Sequence, residues 1–492
     1  MRFSQGILEC FAAASRDYSP LHMSDSYART TPFGQRVVHG ACAVLACCGS
    51  LTPPPDCFPS AVRVVFYQPL FPDLDYELHV SEISPQRARV SIMDGSTQVV
   101  DITFDYLPGT PPVATLPGAA AAPLSLARAV NEADLTGAWA TEGWYSPCGS
   151  NYLALLHALG IQRRAWGDAL PIALMATSYM TGMELPGERA MYFRLEAEFP
   201  GGPVDLPSAF HQELTGYDQR WGLVKSRFRL TCGHRVWSSG EIQAFLRPSR
   251  PGIAPFAGAV GPEMAARFAG KIALAVGASR GFGSSLALTL AAAGATVVAL
   301  YARSSEDAER LRQAAQGLPG QILPVQGDAA DPVTCREIRQ QVLALHGRLD
   351  WLVCSAVPSL QPLRVEAAAF ERIDRFLRNG FALALAPLAS FLDLLSESGG
   401  TVLLISSSSV EDPPAIWPHY VALKCAIEGL VRVSAAEYPK VSFCIARPTK
   451  LNTDMMNTPM GRTKAENPSA AALRILSEAV TAARPGEICY LK

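Results

Sequence analysis

Three groups of residues in this chain combine types and spacings that can do chemistry. Tyr420-Val421-Ala422-Leu423-Lys424 sets a phenol and an ammonium four residues apart, which on a helix is one face. A phenol with its ordinary pKa of about 10 is a poor acid at neutral pH, but a neighbouring ammonium lowers that value and makes it a usable proton donor. Ser407, 13 residues earlier and just after the apolar run TVLLIS, offers a hydroxyl to hold a carbonyl oxygen. The second group is Gly277-Ala278-Ser279-Arg280-Gly281-Phe282-Gly283, which follows the apolar run KIALAV. Glycines there let the backbone approach a pyrophosphate, and a helix starting in the loop adds N–H donors and positive potential. The third group is Asp17-Tyr18-Ser19-Pro20-Leu21-His22, a carboxyl and an imidazole five residues apart across a stiffening proline. Such a pair suits proton removal from one carbon and proton delivery to a departing hydroxyl. Further on, Val37-Val38-His39-Gly40 opens the apolar stretch Ala41 to Cys48. A Gly40 N–H at a helix start could stabilise charge developing on a thioester carbonyl. Taken singly, each pattern also has an ordinary reading as a glycine turn, a chance YxxxK, or a loop aspartate capping a turn.

The elements that must position these residues follow from periodicity. From Lys271 onward, short apolar strands alternate with helical stretches. KIALAV runs through the glycine loop into a helix ending near Ala293, and TVVALY (Thr296 to Tyr301) is the next strand. LDWLVCSA, GTVLLISS and VSFCIARP supply later strands. That alternation predicts βαβ units and a parallel sheet. An acidic residue at the end of the second strand would bind the ribose hydroxyls of NAD. Here the sequence is Tyr301-Ala302-Arg303-Ser304, and Arg303 with Arg280 suits a 2′-phosphate, so NADP(H) is the expected cofactor.

The N-terminal half reads differently. Pro/Gly/Ala-rich stretches at 108–123 and 247–262 divide the chain into 1–107, 124–246 and 263–492. The first two segments look like a diverged repeat. In the first, a helical part precedes VRVVFY (Val62 to Tyr67) and two alternating runs around Asp94-Gly95, a strong hairpin signal. In the second, helical stretches (Asn151 to Leu159, Pro171 to Met183) precede MYFRLEAEF and two runs flanking Cys232-Gly233. Each would be one central helix on antiparallel strands, and two unrelated α+β modules are the alternative.

Bulk properties bound the rest. A chain of 492 residues, 49% apolar and 17% charged, calls for two or three compact domains. A net charge of -2 gives no footprint for nucleic acid or an anionic membrane. Twelve cysteines without a CxxC pair suggest free thiols in a reducing compartment and no metal site. No signal peptide or membrane span is read from the sequence, so a cytoplasmic location is expected.

With these residues in view, the segment at about 270–460 resembles the short-chain dehydrogenase/reductases, especially 3-oxoacyl-carrier-protein reductases. The resemblance implies that Ser407 orients a carbonyl, Tyr420 donates the proton and Lys424 binds the nicotinamide ribose. It adds Asn379 of RNGF to the proton relay, Asp328 to the adenine site and Thr453 of NTDM to the carboxamide. Departures are Val276 before the loop, Cys354-Ser355-Ala356-Val357 for Asn-Asn-Ala-Gly, Pro448-Thr449 for Pro-Gly, and the ending GEICYLK. The run RDYSPLHMSDSYARTTPFGQRVVHG resembles the MaoC-like, hot-dog (R)-specific enoyl-thioester hydratases and dehydratases. It implies Asp17 and His22 as the catalytic pair, with Ser19 standing for the usual Asn and Leu45 near a frequent serine. Segment two, without such a motif, would be the silent half of a double hot dog.

The joint expectation is an α+β double hot dog followed by an α/β Rossmann-type sheet. It would reduce 3-oxoacyl thioesters on carrier protein or CoA and dehydrate the (3R)-hydroxy product, as a homodimer or higher oligomer. Two alternatives stand beside it. One is the same steps run oxidatively on acyl-CoA with NAD. The other is a ketoreductase carrying an inactive acyl-binding or dimerisation module.

Overall fold

Val100, Ile102, Phe104 and Tyr106 are buried on one side of the strand Thr97–Pro108. Asp101 and Asp105 point to the other side, where Arg63, Arg87 and Arg89 pair with them. This alternation is the rule in the first half of the chain. In the computed structural model, residues 1–116, 125–253 and 255–492 are described, and the chain divides into two units, Met1–Ser249 and Arg250–Lys492.

The first unit contains β1 (Cys57–Phe66), β2 (Glu77–Ile83), β3 (Arg87–Asp94), β4 (Thr97–Pro108), β5 (Ala140–Tyr145), β6 (Ala190–Glu198), β7 (Ser208–Asp218), β8 (Leu223–Cys232) and β9 (Arg235–Leu246). They form one nine-stranded sheet in the order β2-β3-β4-β1-β6-β9-β8-β7-β5. Each half places its hairpin one strand from the centre. β3–β4 turns at Gly95 and β8–β9 at Gly233, both at φ 55, where a side chain would be strained. The halves meet where β1 pairs antiparallel with β6, Val64 opposite Leu195. Two apolar helices, Gly40–Ser50 and Ala169–Tyr179, are buried in a single core with Val62, Val64, Phe104, Leu195 and Phe228.

The stretch 108–123 therefore joins two halves of one sheet, not two separate domains. Where described, it is also packed. Ala114 is buried and its N–H donates to Asp168 Oδ2 at 2.6 Å; residues 117–123 lie outside the described part. Of the second Pro/Gly-rich stretch, Ile253, Phe256 and Val260 pack into the core of the second unit.

That second unit holds a seven-stranded parallel sheet. Its strands are β10 (Ile272–Val276), β11 (Thr296–Tyr301), β12 (Gln321–Gln326), β13 (Trp351–Cys354), β14 (Thr401–Ile405), β15 (Ser442–Ala446) and β16 (Ile488–Leu491). The order is β12-β11-β10-β13-β14-β15-β16. Every residue of β10, β13, β14 and β15 is buried, because helices cover both faces of such a sheet. The strand order reverses between β10 and β13, and a crevice at the strands' carboxyl ends at such a point is where ligands bind in this architecture. One helix, Ala367–Ser398, is long and apolar enough to cross a membrane; half of its apolar window is buried within the protein.

Candidate active sites

In the first unit, Asp17 and His22 are brought together by a short local fold. Asp17 Oδ1 accepts the Ser19 N–H at 3.1 Å. Pro20 then starts a one-turn helix, Pro20–Met23, where a proline loses no hydrogen bond. That turn aims His22 back toward Asp17. Ser19 acts here through its backbone, which explains why the usual Asn is dispensable for this bond. His22 Nδ1 lies 2.8 Å from the Val37 carbonyl. A carbonyl only accepts, so Nδ1 carries the proton and Nε2 keeps a free lone pair. Asp17, Ser19, His22 and Gly40 line one cavity. Gly40 opens the helix Gly40–Ser50, and a Cβ there would stand 2.8 Å from the Phe66 ring.

Burial inverts the usual order of acid strengths. It pushes Asp17 up, against His22 and hydrogen bonds from Ser178 and Ser19. It pushes His22 down to about 3, with His39 adding to the effect. The carboxyl thus holds a proton to higher pH relative to the imidazole than in water. Carboxyl as proton donor and imidazole Nε2 as base is the division of labour this supports.

Several residues here escaped the sequence reading of the site. His39 stacks on His22 with ring centroids 3.9 Å apart at 28°, and its Nε2 donates to the Asp17 carbonyl at 3.1 Å. Its motif, VVHG, was visible, but nothing in it reveals the stacking. Asp17, His22 and His39 each bring a donor atom within 4.8 Å of the others. One nitrogen of each ring is already directed at a backbone carbonyl, His22 Nδ1 at Val37 and His39 Nε2 at Asp17, which leaves one nitrogen of each ring and the carboxyl for proton transfer. The second half contributes too. Ser178 Oγ donates to Asp17 Oδ2 at 2.6 Å. Gly182 lies so close that a Cβ would sit 2.5 Å from Asp17 Oδ1. No local motif marks either residue, because the contact spans 161 residues of chain.

The second half has no such pair at the start of its own central helix. There Asp168 is buried and saturated by the Tyr152 hydroxyl at 2.6 Å, Arg163 Nη2 at 2.6 Å and the Ala114 N–H. Asp168 stands immediately before the helix Ala169–Tyr179, as His39 stands before Gly40, so this helix start is taken up by the protein's own ion pair with Arg163.

In the second unit, Ser407, Tyr420 and Lys424 converge at the carboxyl end of β14. The helix Pro418–Glu437 carries Tyr420 and Lys424. Lys424 Nζ lies 5.5 Å from the Tyr420 ring centroid and donates to the Ile405 carbonyl at 2.7 Å. Burial lowers Lys424 to about 8, while Cys354 and Glu428 act upward. Burial raises Tyr420 against a hydrogen bond with Ser407 that lowers it, so the phenol stands above its ordinary value and the lowering expected from Lys424 is not found. Glu428, one turn beyond Lys424, accepts from Ser406 Oγ at 2.6 Å and from Arg447, so the helix is tied to β14 and to the end of β15.

The glycine loop has the shape a dinucleotide needs. Gly277 and Gly281 adopt φ 77 and φ 59. A Cβ on Gly283 would lie 2.1 Å from the Gly277 carbonyl oxygen, so close packing of helix Gly281–Ala292 on β10 requires glycine. Ser279 and Phe282 are buried in the loop and the first helical turn. Thr453 lies against Gly281, 3.7 Å from its would-be Cβ. Gly283→Ala is accordingly expected to weaken dinucleotide binding about ten-fold or more, read by quenching of protein fluorescence on titration with NADPH; unchanged affinity would refute the loop assignment.

The remaining predicted positions divide. Arg303 is exposed just beyond β11, and Ser304 precedes the helix Ser305–Ala314. Arg280 contacts Asp454 at 3.5 Å, and Arg250 bridges Asp454 and Asp307, so Arg280 is already engaged by a carboxylate. Asp328 is exposed after β12, where it accepts the Ala330 N–H at 3.0 Å. Asn379 lies on the exposed side of its helix. In the helix Phe370–Ser398 the inward stripe is Phe376, Gly380 and Ala384, four residues apart, and Asn379 falls off it, exposed. Gly380 lies against Leu423 instead.

Comparison with known proteins agrees with these two constellations. Residues 271–464 match the short chain dehydrogenase family model, and residues 3–52 match the MaoC like domain. A fatty acyl-CoA reductase of Acinetobacter baylyi is 31% identical over 195 residues, 39% of this chain and 64% of that protein. A short-chain dehydrogenase/reductase of Pestalotiopsis microspora is 30% identical over 39% of this chain and 72% of its own length. A 1-cyclohexenylcarbonyl-CoA reductase of Streptomyces collinus is 32% identical over 34% of this chain and 59% of its own. The chain thus spans less than two thirds of the first and third of these relatives.

Proposed function

Since the chain belongs to the short-chain dehydrogenase/reductase family through its second unit, and carries a MaoC-like segment in its first, we propose a bifunctional enzyme of thioester chemistry. The second unit reduces a 3-oxoacyl thioester to the 3-hydroxyacyl thioester. The first, read as a double hot dog, removes that hydroxyl to leave the 2-enoyl thioester. The observation that carries the reading is the convergence of Asp17, His22 and the Gly40 helix start on one cavity, in a chain that also assembles Ser407, Tyr420 and Lys424. Two relatives bear names of reductases of CoA thioesters, which supports a thioester substrate on CoA or a carrier protein.

In reduction, Ser407 holds the ketone oxygen, Tyr420 delivers a proton to it, and Lys424 orients the cofactor ribose. A bound NADPH supplies the hydride. In dehydration, His22 Nε2 takes a proton from the carbon beside the thioester, and the Gly40 N–H steadies the charge reaching the carbonyl. Asp17 protonates the departing hydroxyl. Incubating 3-oxoacyl thioesters of CoA and of carrier protein with NADPH or NADH, and reading products by mass, tests both steps at once. Enoyl product with NADPH supports the proposal. Reduction that stops at the 3-hydroxyacyl stage, with added 3-hydroxyacyl thioester also untouched, would leave a ketoreductase with a binding module.

Arg303 is the residue on which we rest NADP preference, since Arg280 is engaged by Asp454. Arg303→Asp should reverse the ratio of kcat/KM for NADPH over NADH, because a carboxylate repels the 2′-phosphate and accepts from ribose hydroxyls. A ratio unchanged by the substitution would move the phosphate contact to Arg280.

A further inference from the structure

Asp17 is held from two sides, and only one of them belongs to its own half. Ser19 N–H reaches Oδ1 at 3.1 Å. The other oxygen is held at 2.6 Å by Ser178, a buried hydroxyl near the end of the helix Ala169–Tyr179. Directly after that helix the backbone widens into a π-helical turn, Met180–Glu184, a form that recurs at functional sites. It brings Gly182 against the carboxyl, where a Cβ would stand 2.5 Å from Oδ1 and force the carboxyl aside. We propose that the second half is a working part of the dehydration site, with Ser178 as a positioning residue that holds the Asp17 carboxyl and Gly182 as the gap that admits it.

The inference rests on the reading of Asp17 as the proton donor in dehydration. A hydroxyl donating to a carboxyl favours its ionised form. Removing Ser178 frees the carboxyl to turn and lets it keep its proton to higher pH. The other titratable groups facing Asp17 are His22 and His39 from its own half, and Tyr145 and Tyr192 from the second. Both imidazoles are held at about 3 and both phenols are pushed up by burial. They stay uncharged near neutral pH, and Arg247 acts on His22 rather than on Asp17. Ser178 and the Ser19 N–H are left to offset burial.

Ser178→Ala should lower kcat for dehydration about ten- to a hundred-fold, the worth of one hydrogen bond to an ionisable group, with little change in KM. Because the acid must be protonated to act, dehydration falls as pH rises through the Asp17 pKa. That alkaline limb should move to higher pH in Ser178→Ala and return in Ser178→Thr, which keeps the hydroxyl. If Ser178→Ala does not fold, Ser178→Cys, a weaker donor of similar size, should shift the limb in the same direction. A reduced kcat with an unmoved limb would mean packing alone and would overturn the proposal. A direct reading needs no turnover. In protein labelled with ¹³C at aspartate side-chain carboxyls, the Asp17 signal, identified by its loss in Asp17→Asn, should titrate higher in Ser178→Ala than in wild type. Equal titration sinks the Ser178 proposal even if wild type dehydrates. A shifted titration in a protein that does not dehydrate keeps the Ser178 contact and sinks the dehydratase reading.

Discussion

Replacing Tyr420 by Phe is expected to slow ketone reduction about 10²–10⁴-fold, the usual cost of losing a positioned acid, while added 3-hydroxyacyl thioester is still dehydrated. Phe keeps the ring beneath Lys424 Nζ and removes only the oxygen that Ser407 contacts. Cofactor binding should therefore survive, and the loss should appear in kcat. NADPH oxidation followed with a 3-oxoacyl thioester, alongside product mass analysis, separates the two steps. Near-normal reduction by this variant would sink the triad. The same site carries a pH expectation. Lys424 is depressed to about 8 by burial, so its charge is present below that pH and lost above it. Reduction should fall as pH rises through about 8.

Asp17→Asn and His22→Gln should each stop interconversion of 3-hydroxyacyl and 2-enoyl thioesters, and 3-hydroxyacyl product should accumulate. Asn and Gln keep size and hydrogen bonding but do not exchange a proton near neutral pH. The single losses are each expected at about 10²–10⁴-fold. They should not add in the double variant, since acid and base act on one substrate as a unit. The cavity offers a second check. Asn at 17 can accept the Ser19 N–H through its one oxygen and donate its amide to the Ser178 hydroxyl, which can turn to accept, so the fold should stand, as thermal unfolding would report. If neither substitution alters the mixture of products made by active wild-type protein, the pair is not the acid and base.

Much of this was legible because it is local. The glycine loop, the YxxxK helix face and the Asp17 to His22 turn are each set within a few residues of chain, and so were the hairpins at Gly95 and Gly233. What escaped is long-range or depends on rotation about a helix axis. Asn379 is one residue from the buried Gly380, and that single step of about 100° places it on the exposed side of the helix, a rotation that sequence order alone does not fix. Ser178 reaches Asp17 only because β1 pairs with β6 and the two central helices share a core. The stretch 108–123 has a linker's composition, yet its described part is packed, because the Asp168 carboxylate needs the Ala114 N–H.

The pairing of β1 with β6 has a consequence for how such a chain can change over time. From that seam outward the strands run β1, β4, β3, β2 on one side and β6, β9, β8, β7 on the other, the same order of pairing twice within a single polypeptide. In an assembly of identical subunits, every substitution is made twice, and both copies must tolerate it. Two halves within one chain are free of that constraint. One helix start could keep glycine for an oxyanion, while its counterpart became a sealed salt cluster of Asp168 and Arg163. On the proposed reading, that asymmetry leaves one half for proton transfer and the other for supporting it.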